Sequence, residues 1–184
     1  MSPFATKLLN FALYQLGWLS CIVGAAWDYP VIGALVALGL SGVHLLLADS
    51  RKAESALMGG SCLIGVVVDS IQQELGVFTF KMQPDWPFWL PLWVLVIWAQ
   101  FATLFHYALA WLSGRYLLAA ILGALGGPLA YWGGVRLGAA VFGENQGLSL
   151  MALAMTWALV MPALLWLSDQ EPGGEGSYRW KGTQ

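Results

Sequence analysis

Five ionisable residues fall inside long apolar stretches of this sequence, namely His44, Asp69, Glu74, His106 and Arg136. A charged side chain at membrane depth is costly unless it is paired, hydrated or close to the surface, so such residues are the first candidates for a site. Their chemistry would be proton transfer or the orientation of a bound polar group. The sequence has no HExxH, GxSxG, P-loop or dinucleotide-binding motif, so it gives no support to hydrolases, kinases or nucleotide-dependent enzymes. The sequence therefore assigns no catalytic residue, and it predicts no metal site.

Asp69 is the strongest of these candidates because of the helical face on which it lies. It follows a long apolar run and shares a face with Ser61, Gly65, Gln72 and Gln73. Lipid would not tolerate a face that is small and then polar, so this face is expected to point into a bundle. One interpretation is a carboxylate in a cavity that handles a proton or orients a ligand. The other is that the span ends early and Asp69 belongs to a hydrated turn.

Other spans place polar or aromatic side chains at a depth similar to that of Asp69. Gln100, Tyr131 and Thr156 come from three different spans, so a polar belt is expected to converge on the carboxylate. Trp93 and Trp98 lie deep enough to line an apolar pocket, although interfacial anchoring and packing also explain tryptophans there. The candidate ligand-binding residues are Asp69, Gln73, Trp93, Gln100, Tyr131 and Arg136.

Arg136 has two interpretations that the sequence does not separate. It lies about two turns before the outer end of its span, where it can pair with Asp69 or Glu74. Its long stem can equally carry the guanidinium to the lipid headgroups without any partner.

His44 and His106 are the two histidines of the chain, and they lie at similar depth near one face of the membrane. Two histidines on neighbouring spans can ligate a b-type haem. Two histidines without any other ligand pattern also occur as hydrogen-bonded packing residues, and we adopt this second interpretation. No cofactor is therefore predicted.

The elements that position these residues are membrane spans. Of the 184 residues, 59% are hydrophobic and 10% are charged, whereas soluble domains carry about 25% charged residues. A spanning helix needs roughly 20 apolar residues, so the fold class predicted for residues 1–168 is an all-α integral membrane bundle of about six transmembrane helices. Residues 169–184 are polar and rich in glycine, which predicts a flexible tail. The predicted spans are Leu8–Ala25, Tyr29–Ala48, Ala53–Leu75, Trp86–Leu112, Tyr116–Phe142 and Leu148–Leu167.

The positive charges predict the orientation of these spans. With the amino terminus inside, six lysines and arginines lie in inner segments and one lies in an outer loop, a bias that marks the cytoplasmic side. The net charge is −2 and there is no basic run, so nucleic acid is not an expected partner. The inner residues are Lys7, Arg51, Lys52, Arg115, Arg179 and Lys181, and the outer residue is Lys81.

The fifth predicted span carries a stripe of small residues on one helical face, formed by Gly123, Gly127, Ala130, Gly134 and Gly138. Small residues let helix backbones approach closely in lipid. The stripe therefore indicates either close helix packing or one wall of a ligand groove.

Several segments resemble a known family. They are the opening run from Asn10 to Trp18, the Val68–Ser70 step, the run from Trp98 to Ala102 and the glycine-rich stretch from Gly123 to Ala139. Together they resemble the small bacterial membrane proteins known as domain of unknown function 2878, over most of the chain. The resemblance implies a multi-pass protein of the bacterial inner (plasma) membrane, with both termini cytoplasmic by the charge bias. The family has no established activity, so the resemblance implies no mechanism.

The function that these observations favour is the binding or processing of a small lipophilic molecule in an intramembrane cavity around Asp69. Membrane lipids are then the expected partners. One alternative is a non-catalytic accessory or assembly subunit, whose glycine faces dock on a partner membrane protein or on a second copy of the chain. Another is a proton-coupled carrier.

Overall fold

Six α-helices form most of the fold in the computed structural model, which describes residues 2–81 and 89–170. Five of them are long and apolar enough to cross a membrane. The predicted all-α membrane bundle is thus confirmed. The helices are α1 (Pro3–Ala26), α2 (Pro30–Leu47), α3 (Arg51–Glu74), α4 (Leu92–Ala102), α5 (Tyr116–Leu137) and α6 (Gln146–Asp169).

Polar caps fix where three of the long helices begin. Ser2 accepts a hydrogen bond from the backbone of Ala5, and Ser50 accepts one from Ala53. Asn145 caps α6 in the same way. Such caps satisfy backbone N–H groups that have no partner within the helix. Because Ser2 is a cap, α1 begins five residues before the predicted Leu8.

The fourth predicted span, Trp86–Leu112, is wrong as a single helix. Helix α4 covers only 11 residues, about 16 Å at 1.5 Å per residue, whereas a bilayer core is about 30 Å thick. Residues 103–109 continue as consecutive turns, and a 3₁₀ helix follows at Ala110–Leu112. The predicted start of the span at Trp86 lies outside the described residues. An apolar run predicts burial but does not distinguish a helix from irregular buried backbone.

The non-helical segment after α4 is mostly buried within the protein. Residues 102–107 are all buried, and Asn10 of α1 satisfies two of the backbone groups around them. Its Nδ2 donates to the carbonyl oxygen of Thr103 at 3.0 Å, and its Oδ1 accepts from the amide of Ala108 at 3.2 Å. Irregular backbone is stable at membrane depth when protein groups supply the missing hydrogen bonds in this way.

A short antiparallel ladder closes one end of the bundle. It pairs β1 (Phe78–Phe80) with β2 (Ala140–Phe142), with Thr79 opposite Val141. The fifth span was predicted to continue to Phe142, but α5 ends at Leu137. Gly138 follows with φ +91°, a left-handed conformation that glycine adopts readily and that commonly ends helices.

The helices pack as two close pairs around a central element. Helix α1 pairs with α2, α5 pairs with α6, and α4 lies between α1, α2 and α3. The end of the bundle that carries the ladder is called the Lys81 end; there the Lys81 ammonium contacts Asp28 at 2.9 Å. The opposite end, which includes the starts of α3 and α5, is called the Arg115 end.

The small-residue stripe of α5 packs against other helices. A Cβ atom on Gly123 would lie 2.2 Å from the backbone oxygen of Trp157, and one on Gly127 would lie 2.2 Å from the Trp157 ring. Helices α5 and α6 therefore approach more closely than any larger residue at these positions would allow. Gly134 faces Ile22 of α1 instead, with a Cβ distance of 3.5 Å.

Helix α6 extends one residue beyond the boundary predicted at residue 168. Asp169 is the last residue of α6, and its carboxylate accepts hydrogen bonds from Ser113, Gly114 and Tyr116. These bonds tie the end of α6 to the start of α5. Residues 171–184, including Arg179 and Lys181, lie outside the described residues.

Candidate functional site

The Asp69 carboxylate is fully buried in the bundle and accepts two hydrogen bonds. The indole Nε1 of Trp98 donates to Oδ2 at 2.7 Å, and the hydroxyl of Tyr131 donates to Oδ1 at 2.5 Å. Helix α3 continues for five residues beyond Asp69, to Glu74. The hydrated-turn interpretation of Asp69 is therefore wrong.

A glycine one turn earlier in α3 makes the contact between Asp69 and Trp98 geometrically feasible. Gly65 lies four residues before Asp69 on the same face, and a Cβ atom on Gly65 would be 2.4 Å from Trp98 Cγ. The absence of a side chain lets the indole lie flat against α3. Its N–H then reaches the carboxylate.

Aromatic contacts hold the two donors in place. Trp98 is stacked on Trp157 of α6, with 5.2 Å between ring centroids and 12° between ring planes. Tyr131 packs against Phe78 at 4.8 Å and Phe80 at 6.1 Å, both in β1. The ladder thus supports the Tyr131 ring from the Lys81 end, which fixes the hydroxyl toward Asp69.

A cavity of about 490 Å³ adjoins the Asp69 carboxylate, a size typical of small-molecule sites. Its walls come from α1, α4, α5 and α6, and most of the lining side chains are apolar. Among the described lining residues, Asp69 is the one with a charge-bearing side chain. Five tryptophans contribute to the walls: Trp18, Trp93, Trp98, Trp111 and Trp157.

The cavity reaches the surface of the bundle between α1 and α5. Near the Lys81 end these helices are close, since a Cβ atom on Gly133 would be 3.4 Å from Trp18. Toward the Arg115 end they separate, and a Cβ atom on Gly126 would meet nothing within 4 Å. Phe11 and Trp111, which line this part of the cavity, are 48% and 45% exposed. The gap therefore opens sideways, on the face of the bundle that lipid covers in a membrane.

The predicted site residues fall into two groups. Tyr131 contacts Asp69 directly, and Trp93 lines the cavity, with its Nε1 donating to the Lys81 carbonyl at 3.3 Å. Gln73 instead accepts a hydrogen bond from the backbone of Phe80. It thereby helps to anchor β1 and does not line the cavity.

Two polar residues predicted for a belt around Asp69 lie elsewhere. Gln100 points toward α1 and α2, where its Nε2 donates to the Ala37 carbonyl at 3.0 Å and its amide fills the space beside Gly17. Thr156 is half-buried on α6 and does not line the cavity. Of the three residues predicted to form a polar belt around Asp69, Tyr131 reaches the carboxylate and the other two do not, and the second donor is the indole of Trp98.

Arg136 lies on the exposed side of α5. Its guanidinium carbon is 5.7 Å from the ring centroid of Trp132, one turn earlier, which is within the range of a cation–π contact. Among the described residues it forms no ion pair with Asp69 or Glu74. The structure therefore disagrees with the paired interpretation of Arg136 and agrees with the one in which the guanidinium has no carboxylate partner.

A second buried carboxylate, Glu54, lies near the Arg115 end and was missed by the sequence analysis. Its Oε2 is 2.8 Å from His44 Nε2, and its Oε1 is 2.6 Å from His106 Nδ1. His106 Nε2 also contacts the carbonyl oxygen of Ser168 in α6. Glu54 therefore connects α2, α3 and the segment after α4, and His106 extends this network to α6.

A signal for Glu54 was present in the sequence. It lies fifteen residues before Asp69 on α3 and continues the same buried face. It lies at the start of the predicted span Ala53–Leu75, beside Arg51 and Lys52, and was not singled out there. The helical spacing between Glu54 and Asp69 is the pattern that indicates burial of both side chains.

The hydrogen bonds of this cluster fix the proton positions on the histidines. The Asn10 Nδ2 group is a donor and lies 3.4 Å from His44 Nδ1, so this nitrogen accepts and His44 Nε2–H donates to Glu54. A carbonyl can only accept, so His106 Nε2 carries a proton toward Ser168. One further proton is then shared between His106 Nδ1 and Glu54. All four ring nitrogens contact protein groups, which corresponds to the packing interpretation of both histidines.

Comparison with known proteins identifies one family. A family model described as "Protein of unknown function (DUF2878)" matches residues 7–163, which confirms the resemblance noted in the sequence. No curated protein and no solved structure matches the chain.

Proposed function

Since the chain belongs to the DUF2878 family of proteins of unknown function, we propose its role from the site: it binds a small lipophilic molecule in the cavity beside Asp69. The carboxylate orients the polar group of this molecule, while the aromatic walls hold the apolar part. Asp69 is also the group at this wall that can exchange a proton with a bound molecule.

The observation that carries this proposal is a single buried carboxylate at the wall of a cavity whose other described lining side chains are uncharged and mostly apolar. Burying a carboxylate is unfavourable unless other groups compensate for the loss of water. A bundle selected only for stability would place an apolar residue at position 69. Intramembrane ionisable residues that face a cavity are accordingly first candidates for function.

The gap between α1 and α5 supports the lipophilic character of the ligand. An opening on the lipid-facing side of a bundle gives access from the bilayer and not from water. A molecule that enters there passes Phe11 and Gly126 before it reaches Asp69. Membrane lipids and molecules dissolved among them are the candidates that such an entrance admits.

The proposal is tested by closing the entrance without disturbing the packing. Gly126→Trp places a large side chain in the gap, where a Cβ atom meets no neighbour within 4 Å. Gly39→Trp is the matched control, since a Cβ atom on Gly39 in α2 also meets no neighbour and Gly39 does not line the cavity. The lipophilic molecules that co-purify with each protein in mild detergent are then identified and quantified by mass spectrometry.

We expect the wild-type protein and Gly39→Trp to retain the same lipophilic species and Gly126→Trp to lose it. All three should unfold at similar temperatures. Equal retention by all three proteins, or no enriched species in any of them, would overturn the proposal. A stoichiometric membrane-protein partner without an enriched lipid would favour the accessory-subunit alternative instead.

A further inference from the structure

We infer that the ligand of the Asp69 cavity carries a positive charge, so that its chemical class is a lipophilic organic cation. The inference rests on the proposed function, because it names the class of molecule that the same cavity holds. Three features carry it: the neutral groups that contact the carboxylate, the contacts that the described lysines and arginines make elsewhere, and the aromatic side chains that line the cavity.

The partners of Asp69 are both neutral. The indole of Trp98 and the hydroxyl of Tyr131 each donate one hydrogen bond to a different carboxylate oxygen. Each oxygen can accept at least one further bond. The two donors orient the carboxylate, but they bring no positive charge to it.

The described cations near this end of the bundle are engaged elsewhere. The Lys81 ammonium contacts the Asp28 carboxylate and the Ala26 carbonyl, both at 2.9 Å. Arg136 lies over Trp132 on the exposed side of α5. No described lysine, arginine or histidine lines the cavity. A cation that neutralises Asp69 from the cavity side would therefore come from the ligand.

The aromatic walls are suited to the same charge. An organic cation is attracted to the faces of tryptophan and tyrosine rings, and aromatic cages recognise quaternary ammonium groups in this way. Tyr131 lines the cavity beside the carboxylate, and Trp18 and Trp93 also line it. Trp98 is covered by Gly65 and stacked on Trp157, so it acts as a hydrogen-bond donor to Asp69. An anionic headgroup at this position would be repelled by Asp69 and would meet the negative faces of the rings.

The test uses three probes of similar shape and different charge: tetraphenylphosphonium, neutral tetraphenylmethane and anionic tetraphenylborate. Binding to the purified full-length protein in detergent is measured by equilibrium dialysis against protein-free micelles. Each probe is tested on the wild type, on Asp69→Asn and on Glu74→Gln. Glu74→Gln is the matched control because Glu74 is an exposed carboxylate on the same helix and does not line the cavity.

We expect saturable, one-to-one binding of tetraphenylphosphonium to the wild type and to Glu74→Gln. Asp69→Asn should bind it at least about tenfold more weakly, which corresponds to about 1.4 kcal/mol. Binding by the wild type should also strengthen as the pH rises and Asp69 loses its proton. Tetraphenylborate should not compete for the site.

The outcomes separate this inference from the proposed function. If tetraphenylmethane binds as tightly as the cation, or if Asp69→Asn binds the cation normally, the ligand class is wrong while a lipophilic site remains. Saturable binding of tetraphenylborate at the site, or no binding of any probe, would also overturn the cation inference. The proposed function stands or falls separately, by the loss of the co-purified species from Gly126→Trp.

Discussion

The Oε1 atom of Glu54 lies 2.6 Å from Nδ1 of His106, although the two residues are 52 positions apart in the chain. Both side chains are buried, and the second carboxylate oxygen of Glu54 contacts His44. This one carboxylate therefore joins α2, α3 and the segment after α4. Its removal should affect the stability of the fold more than any activity.

Glu54→Leu should lower the free energy of unfolding by about 3–5 kcal/mol, the usual effect of breaking a buried charged pair. Glu54→Gln should be milder, because its amide oxygen still accepts from His44 Nε2–H and its amide nitrogen can donate to His106 Nδ1. Thermal or denaturant unfolding in detergent measures the difference. Glu74→Leu, on the exposed end of the same helix, should change the stability by less than about 0.5 kcal/mol. Equal effects of the two leucine substitutions would contradict a structural role for Glu54.

Asp69→Leu should leave the Trp98 indole and the Tyr131 hydroxyl without an acceptor, at about 1–3 kcal/mol for each stranded group. Tyr131→Phe removes one of these groups, so the double variant should recover part of the loss. The free energies of unfolding of Asp69→Leu, Tyr131→Phe and the double variant, measured in detergent, form a double-mutant cycle. Strict additivity of the two effects would show that Asp69 and Tyr131 are not coupled.

Asp69→Asn separates function from stability at the same position. The asparagine keeps the shape of the side chain and one acceptor, but it carries no charge. We expect normal expression together with the same phenotype that deletion of the gene produces. A variant with full function would remove Asp69 from the site, whatever its stability.

Two glycines of α5 should respond oppositely to the same substitution. Gly123→Ala places a methyl group 2.2 Å from the Trp157 backbone oxygen, and such overpacking typically lowers stability by about 1–3 kcal/mol. Gly126→Ala meets no neighbour and should raise stability by up to about 1 kcal/mol through its higher helix propensity. Unfolding temperatures of the two variants measured side by side decide the matter. If Gly123→Ala is as stable as Gly126→Ala, the close approach of α5 and α6 is wrong.

The orientation in the membrane remains a prediction from the six-to-one distribution of positive charge. A reporter that is active only outside the cytoplasm should give a signal when fused after Lys81. The same reporter fused after Arg51 or at Gln184 should be silent. The reverse pattern would place the Arg115 end outside.

The sequence predicted the class of the fold well because its main signal is the length of apolar runs. Five long helices agree with the predicted spans to within a few residues. The exceptions are the start of α1 and the end of α5, as described above. The fourth span was wrong for a physical reason. Residues 103–109 continue a mainly apolar run, and their irregular backbone is held by Asn10, a residue 93 positions away from Thr103.

The site was predicted in part. Asp69 and Tyr131 were brought together by estimates of depth, which need only the helical rise. The direction in which a side chain points around its helix depends on packing, so Gln100 and Arg136 were placed near the carboxylate although they face elsewhere. Trp98 was considered as a wall residue, but its hydrogen bond to Asp69 depends on the space left by Gly65, which no pattern of residue types expresses.

The irregular segment after α4 also bears on how the protein is made. A ribosome delivers the chain from its amino terminus, so Asn10 is already in the membrane when Thr103 and Ala108 emerge. Ser168, which accepts from His106, is delivered more than fifty residues afterwards. During that interval the segment can bond to Asn10 but not yet to Ser168. Completion of this part of the bundle therefore waits for α6, the last helix to be synthesised.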